Sequence, residues 1–236
     1  WIRKEKKMIG SHDHISTTFN NELSNLNESL LEMGRILESM YEKSIIAFDQ
    51  KSEDSSREVI LNDKKIDDLE TSIINQIQML IAKRQPMGVD LRVLVGCTRI
   101  AGYMERIGDL ISSVNKRNII LIEHIIENEK KDIVDLFSSA MKLFKKSLDC
   151  FARKDFKLAE IIRKQDLDID KQYKHFFNEL LEKMSNESKL VVPGTHMLFI
   201  AKNLERIGDH ATNIADAISY MATGEVQAPE RPKISE

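Results

Sequence analysis

The pentapeptide Glu105-Arg106-Ile107-Gly108-Asp109 occurs twice in this sequence, and its second copy, Glu205-Arg206-Ile207-Gly208-Asp209, lies 100 residues later. A second acidic motif precedes each copy. Asp63-Lys64-Lys65-Ile66-Asp67 is matched by Asp166-Leu167-Asp168-Ile169-Asp170, 103 residues later. Two motifs that recur in the same order predict a chain built from two copies of one structural unit.

The residues between the motifs have the spacing of long helices. Apolar residues recur every three or four positions, Gly and Pro are rare, and no window alternates with the period of a strand. The sequence therefore predicts an all-α protein of six long helices, arranged as two tandem three-helix repeats. The first helix is predicted over 17–50, the third over 89–118, and the sixth from after 193–194 to 223. The second helix carries core residues from Val59 onward and ends at a turn at 85–88, and the fifth carries core residues from Ile162 onward and ends at a turn at 185–188. The fourth helix carries core residues from Ile133 to Leu148, after a polar link at 124–130.

This helix pattern divides the chain into four parts. Residues 17–126 form the first repeat and residues 127–223 the second. We expect residues 1–16 to be a flexible extension and residues 224–236 a loose tail, since both stretches carry little apolar content.

The carboxylates of the two motifs fall at matched positions across each predicted turn. Asp67 lies 19 residues before Pro86 and Glu105 lies 19 residues after it. Asp63 and Asp109 are also equidistant from Pro86, and both arms of a helical hairpin rise by about 1.5 Å per residue. Each hairpin should thus bring four carboxylates together at two levels. The second repeat obeys the same rule, and its set is Asp166, Asp170, Glu205 and Asp209.

Four clustered carboxylates repel one another, so they need a cation or a raised pKa. Two interpretations are open. Arg106, Arg206 and the lysines beside Asp63 would neutralise them in a surface ion-pair lattice, or each cluster would hold hard metal ions such as Mg²⁺, Mn²⁺ or iron. Carboxylates can bridge, so a multinuclear cluster is compatible with either repeat. Asn213 and Asp216 continue the acidic stripe of the sixth helix as a further extension of the second site.

Gly108 and Gly208 occupy the interior of predicted helices, where glycine costs about 1 kcal/mol relative to alanine. Their recurrence suggests close approach of the backbone by the preceding helix or by a ligand. Simple descent of one copy from the other would also explain it.

Composition excludes several classes of protein. The net charge is −3, from 35 basic and 38 acidic residues, which argues against a sequence-independent nucleic-acid binder. No run of 18 apolar residues exists, so we expect no membrane span. Cys97 and Cys150 lack metal-type spacing, and the basic N-terminus lacks the apolar core of a signal peptide. These features favour a cytoplasmic protein.

With these motifs, the sequence resembles the PhoU family of phosphate-uptake regulators. The resemblance rests on the stretches 63–67, 84–92, 104–109 and 204–216, and it extends from about Phe19 to Gly224. The first copy departs from the family pattern after Asp109, where it reads Leu-Ile-Ser-Ser-Val-Asn-Lys.

The resemblance implies a cytoplasmic, commonly dimeric protein without enzymatic activity. Such proteins work beside the phosphate ABC transporter and restrain the phosphate-responsive two-component system when phosphate is plentiful. They are thought to connect the transporter's ATPase subunit to the sensor histidine kinase. Some family members bind multinuclear metal clusters through the motifs that here contain Glu105, Asp109, Glu205 and Asp209.

Two other functions remain as alternatives. A metal-free helical scaffold would need no ligand at the acidic clusters. A ferritin-like carboxylate oxidoreductase would need Glu-x-x-His pairs that project into the bundle, and this sequence does not show them at the repeated motifs.

Overall fold

Six long helices account for nearly all of the chain that the computed structural model describes, which comprises residues 17–124, 126–155 and 157–225. A short 3₁₀ helix, Ser188–Leu190, precedes the last of them, and no strand occurs in these ranges. The six-helix prediction is therefore confirmed. The helices are α1 (Thr17–Asp49), α2 (Glu53–Arg84), α3 (Val89–Leu121), α4 (Glu127–Arg153), α5 (Leu158–Asn186) and α6 (Val191–Thr223).

The turn between α2 and α3 shows how the sequence sets a helix boundary. Gln85 adopts the left-handed conformation with φ 45°, and its N–H donates to the carbonyl of Ile81. Pro86 follows and cannot donate to a continued helix. Gly88 then takes φ 59°, a value that favours glycine, immediately before α3 begins at Val89.

Three boundaries differ from the sequence prediction. α6 begins at Val191 rather than after Pro193, because the N–H groups of the first helical turn have no intrahelical partner and proline is tolerated there. α3 continues past Asn118 to Leu121, and α4 begins at Glu127, inside the predicted polar link. The predicted N-terminal extension and all of the predicted tail except Gly224 and Glu225 lie outside the described residues.

The two three-helix units meet mainly through α3 and α6, which make the most extensive contact between any two helices. These helices are antiparallel. The Arg117 guanidinium lies 4.1 Å from the ring centroid of Phe199 near one end, and Arg92 Nε donates to the carbonyl of Met221, at 3.1 Å, near the other. The repeated pentapeptides therefore lie side by side near the middle of the α3–α6 pair.

α1 packs against α4 in the same antiparallel sense, so these two helices also join the units. The Tyr41 hydroxyl donates to the Phe137 carbonyl at 3.0 Å, and the Tyr41 and Phe137 rings meet edge to face. Both side chains are almost completely buried. Burial of aromatic side chains contributes about 1.5–3 kcal/mol each to folding, so this contact is a substantial part of the core.

Buried amides attach α3 to the first two helices. Asn115 Nδ2 donates to Ser44 Oγ on α1 at 2.6 Å, and Asn118 Nδ2 donates to Ser56 Oγ on α2 at 2.9 Å. All four residues are at most 1% exposed. Buried polar groups need such partners, so these bonds select one packing arrangement for the first unit. Within the described ranges, no helix carries an apolar stretch long enough to cross a bilayer.

Candidate metal centres

The two repeated glycines lie where α2 approaches α3 and where α5 approaches α6. A Cβ atom at position 108 would lie 3.1 Å from Ile66 Cγ2 and 3.3 Å from Asp63 Oδ1. At position 208 it would lie 2.8 Å from Asp166 Oδ1. The preceding helix makes the close approach expected from the sequence, and it brings one carboxylate of each predicted set against the glycine backbone.

Three carboxylates of the second repeat form a compact cluster. Asp170 on α5 and Glu205 and Asp209 on α6 each place an oxygen within 4.8 Å of the other two. The Glu205 side chain is only 12% exposed, and Asp166, the fourth member of the predicted set, is 7% exposed. The second site is therefore recessed between the helices rather than spread on the surface.

One lysine enters the second cluster from its own helix. Lys202 Nζ lies 2.7 Å from Glu205 Oε2, and the Lys202 side chain is 45% exposed. Burial raises the pKa of Glu205 above its usual range, Asp209 and Asp170 raise it further, and Lys202 opposes the shift. Holding the three carboxylates close together therefore costs free energy, and the Lys202 ammonium group reduces this cost.

The first repeat brings its carboxylates together with more exposure to solvent. Asp67 and Asp109 are exposed, whereas Asp63 and Glu105 are partly buried. Burial raises the pKa of Asp63, and Asp109 and Asp67 add to the shift against the Ser112 hydroxyl and Lys116. These couplings place α2 and α3 carboxylates near one another, as the level matching predicted.

Glu70 is a member of the first cluster that the sequence reasoning missed. Burial raises the pKa of Glu105, and the charges of Asp109, Glu70 and Asp67 raise it further. Glu70 lies three residues after Asp67, so it occupies nearly the same face one helical turn later. The residue that corresponds to Glu70 in the second repeat is Tyr173, so the duplicated positions gave no signal for Glu70.

The proposed extension of the second site has its own partner. Asp216 Oδ1 lies 3.0 Å from Arg163 Nε, and this ion pair links α6 to α5. Arg163 therefore neutralises Asp216, which the sequence analysis placed in the acidic stripe of the sixth helix. Asn213, one turn beyond Asp209, is partly buried.

The donor atoms suit a hard cation. All members of both clusters offer carboxylate oxygens, and neither cluster contains the Cys or His ligands that a closed zinc site prefers. Burial and mutual repulsion raise the pKa values of Asp63, Glu105 and Glu205. A bound divalent or trivalent ion would offset this repulsion. The residues present thus fit Mg²⁺, Mn²⁺ or iron.

Fold and site together define a class of tandem-repeat helical proteins in which each three-helix unit carries one carboxylate cluster between its second and third helices. Residues 30–118 and 133–218 each match the PhoU domain. The chain belongs to the PhoU family, which confirms the resemblance drawn from the repeated motifs. This is a family of accessory and regulatory proteins rather than enzymes.

Similar proteins match the chain over nearly its full length. A Rhizobium meliloti protein described as a phosphate-specific transport system accessory protein PhoU homolog is 41% identical over 94% of both chains. The crystal structure of PhoU from Pseudomonas aeruginosa has a TM-score of 0.85 and 30% identity, covering 88% of this chain and 100% of that one. A phosphate transport system regulatory protein PhoU from Streptococcus pneumoniae shares the fold, with a TM-score of 0.80, 24% identity, and coverage of 89% and 99%.

The glycine contacts predict opposite effects for two alanine substitutions. Gly102→Ala should raise the free energy of unfolding by about 1 kcal/mol, because a Cβ there meets no atom within 4 Å and alanine favours the helix. Gly208→Ala should lower it by about 1–3 kcal/mol, because the new methyl group would overlap the short, buried Asp166 side chain. Urea unfolding measures both. Equal stabilisation by the two substitutions would contradict the close contact.

The raised pKa of Glu105 predicts a pH-dependent effect of Glu105→Gln in metal-free protein. Because the folded protein disfavours the ionised form of Glu105, the contribution of this residue to the free energy of unfolding is fully present only below its unfolded pKa of about 4.3. That contribution is lost as pH rises through the raised folded pKa. The neutral glutamine avoids that loss, so the variant should be more stable at pH 7.5 by about 0.5 kcal/mol, a value reduced by solvent screening.

Urea unfolding between pH 7.5 and 4.5, with EDTA present, checks this prediction. The advantage of Glu105→Gln should disappear toward the acid end. Glu182→Gln changes an exposed glutamate of α5 and serves as the control. An advantage that stays constant across the pH range would show that repulsion within the cluster is not its cause.

Proposed function

We propose that this protein is a cytoplasmic regulator of phosphate uptake that restrains the phosphate-starvation genes when phosphate is plentiful. The observation that carries the proposal is the full-length match to a relative described as a phosphate-specific transport system accessory protein homolog. The match includes both repeats, so it applies to the whole helical bundle and to both carboxylate clusters.

In this role the protein acts as an adaptor between the ATPase subunit of the phosphate ABC transporter and a phosphate-responsive sensor histidine kinase, and it works as a homodimer. The architecture supports an adaptor. Its two similar units carry exposed apolar side chains, such as Met87 in the α2–α3 turn and Val192 and Phe199 on α6. The slight acidic excess favours protein partners over nucleic acid.

The carboxylate clusters hold hard metal ions in this proposal, with more than one ion per site where carboxylates bridge. Asp63, Asp67, Glu70, Glu105 and Asp109 would serve the first repeat, and the recessed set around Glu205 would serve the second. A bound ion supplies the positive charge that lets these carboxylates remain together. Because each set spans two helices, ion binding would also fasten α2 to α3 and α5 to α6.

A metal-free scaffold is the alternative that one observation favours. The Lys202–Glu205 and Arg163–Asp216 ion pairs already neutralise part of the second cluster. A ferritin-like oxidoreductase has less support. His210 follows the second pentapeptide, but its ring stacks on Tyr103 with centroids 6.0 Å apart, in the α3–α6 contact.

Deletion of the gene should switch on phosphate-starvation genes in phosphate-rich medium, because the restraint on the sensor kinase would be lost. Transcript levels measured in rich and poor phosphate check this expectation. Reintroduction of the wild-type chain serves as the control and should restore repression. Unchanged expression in a clean deletion would refute the regulatory role.

Replacement of Glu205 by Gln together with Asp209 by Asn should lower the metal content of the purified protein. It should also abolish the second site's share of the metal-dependent rise in melting temperature, because an ion stabilises the fold only while its site exists. In EDTA the same variant should be neutral or more stable, since it relieves repulsion.

Elemental analysis and thermal melts with and without Mn²⁺ provide the measurement. Glu182→Gln with Asp168→Asn removes two exposed charges of α5 and is the matched control. Unaltered metal content combined with higher stability in both conditions would end the metal-site proposal and leave the metal-free scaffold.

A further inference from the structure

The geometry points to Lys202 as a tethered cation that competes with metal at the second carboxylate site. We infer that its ammonium group has to leave Glu205 before a metal ion binds there, so the first repeat fills at a lower metal concentration than the second. This inference rests on the proposed metal-binding function, and it assigns different roles to two sites that share the same pentapeptide.

The Lys202 ammonium lies against the carboxylate of Glu205, one of the three carboxylates that would hold an ion at the second site. Its Nζ lies 2.7 Å from Glu205 Oε2, and this oxygen has almost no exposure to solvent. One carboxylate oxygen of Glu205 and one each of Asp170 and Asp209 lie within 4.8 Å of one another. A metal ion and the ammonium group would repel each other strongly at such a separation.

A second contact holds the ammonium group toward α5. Lys202 Nζ lies 5.1 Å from the centroid of the Tyr173 ring, close enough for a cation–π interaction. Tyr173 also borders Asp170 and Glu205 in a groove of about 440 Å³. The lysine side chain is 45% exposed, so it has room to move away toward solvent when an ion arrives.

The first repeat lacks both halves of this arrangement. Gly102 stands at the position of Lys202, and Glu70 stands at the position of Tyr173. The first cluster therefore has a fifth carboxylate where the second has an aromatic ring, and it has no lysine at the corresponding position. Arg106 and Lys116 lie beside the first cluster, but both are exposed side chains that solvent screens.

The test uses full-length protein in which only one site remains. Glu105→Gln with Asp109→Asn leaves the second site, and Glu205→Gln with Asp209→Asn leaves the first. Titration calorimetry with Mn²⁺ should give a Kd at least about tenfold lower for the first site than for the second. Adding Lys202→Gln to the second-site protein should tighten Mn²⁺ binding by about tenfold.

The reciprocal substitution moves the lysine into the first repeat. Gly102→Lys in the first-site protein should weaken Mn²⁺ binding by about tenfold. A Cβ at position 102 meets no atom within 4 Å, so the new side chain leaves the backbone without a clash. Lys171→Gln, which removes an exposed lysine paired with Asp168 on α5, is the control and should leave the Kd unchanged.

Thermal melts separate competition from a structural role of Lys202. In EDTA, Lys202→Gln should lower the melting temperature, because Glu205 then faces Asp170 and Asp209 without its ammonium partner. With Mn²⁺ the same variant should gain more than wild type does. A lysine that serves only structure would lower the melting temperature in both conditions and leave the Kd unaltered.

The outcomes distinguish the two levels of the proposal. If neither wild type nor any variant binds Mn²⁺, both the metal-binding function and the competing role of Lys202 are wrong. If both single-site proteins bind Mn²⁺ and Lys202→Gln changes neither Kd nor the melting gain, only the competing role is wrong. A tighter second site in Lys202→Gln, or a weaker first site in Gly102→Lys, supports the inference.

Discussion

The contact between a glycine and a carboxylate-bearing helix organises each half of this protein. At Gly108 and Gly208 the absence of a side chain lets α2 and α5 lie so close that Asp63 and Asp166 reach the backbone of the next helix. This approach brings carboxylates from two helices into one space, where burial and mutual repulsion raise the pKa values of Asp63 and Glu205. The apolar core holds both arrangements against the charge, and in the first unit the buried Asn115 and Asn118 hydrogen bonds add to it.

The six-helix fold and the approach of the α2 carboxylates to those of α3 followed from the sequence for a simple reason. A helical hairpin rises equally on both arms, so equal distances from a turn place residues such as Asp67 and Glu105 at one level. Periodicity and the duplicated pentapeptides then sufficed to predict six helices and two repeats. Helix starts were less certain, because Pro193 fits the first turn of a helix as well as the segment before one.

The partners of individual side chains lay beyond this reasoning. Spacing along one helix does not say which residue of another helix an arginine will meet, so the Arg163–Asp216 pair emerged only with the structure. The Lys202–Glu205 pair was missed for a different reason, because its three-residue spacing on α6 is readable from the sequence but Lys202 lies outside the repeated motifs. Glu70 was missed because it has no counterpart in the second repeat. Duplicated positions show only what the two repeats share. Glu70 and Tyr173 occupy corresponding positions but differ, so duplication gives no signal for either.

The fusion of two units in one chain has a consequence for how such a protein changes over time. In a symmetric pair of separate, identical subunits, every substitution appears twice, so the paired sites stay alike. Here α3 and α6 meet as the two halves of such a pair would, yet each half is encoded separately. A lysine at position 202 and a glycine at position 102 coexist in one molecule. Covalent linkage thereby permits graded responses from two related sites while keeping the near-symmetric contact that holds the halves together.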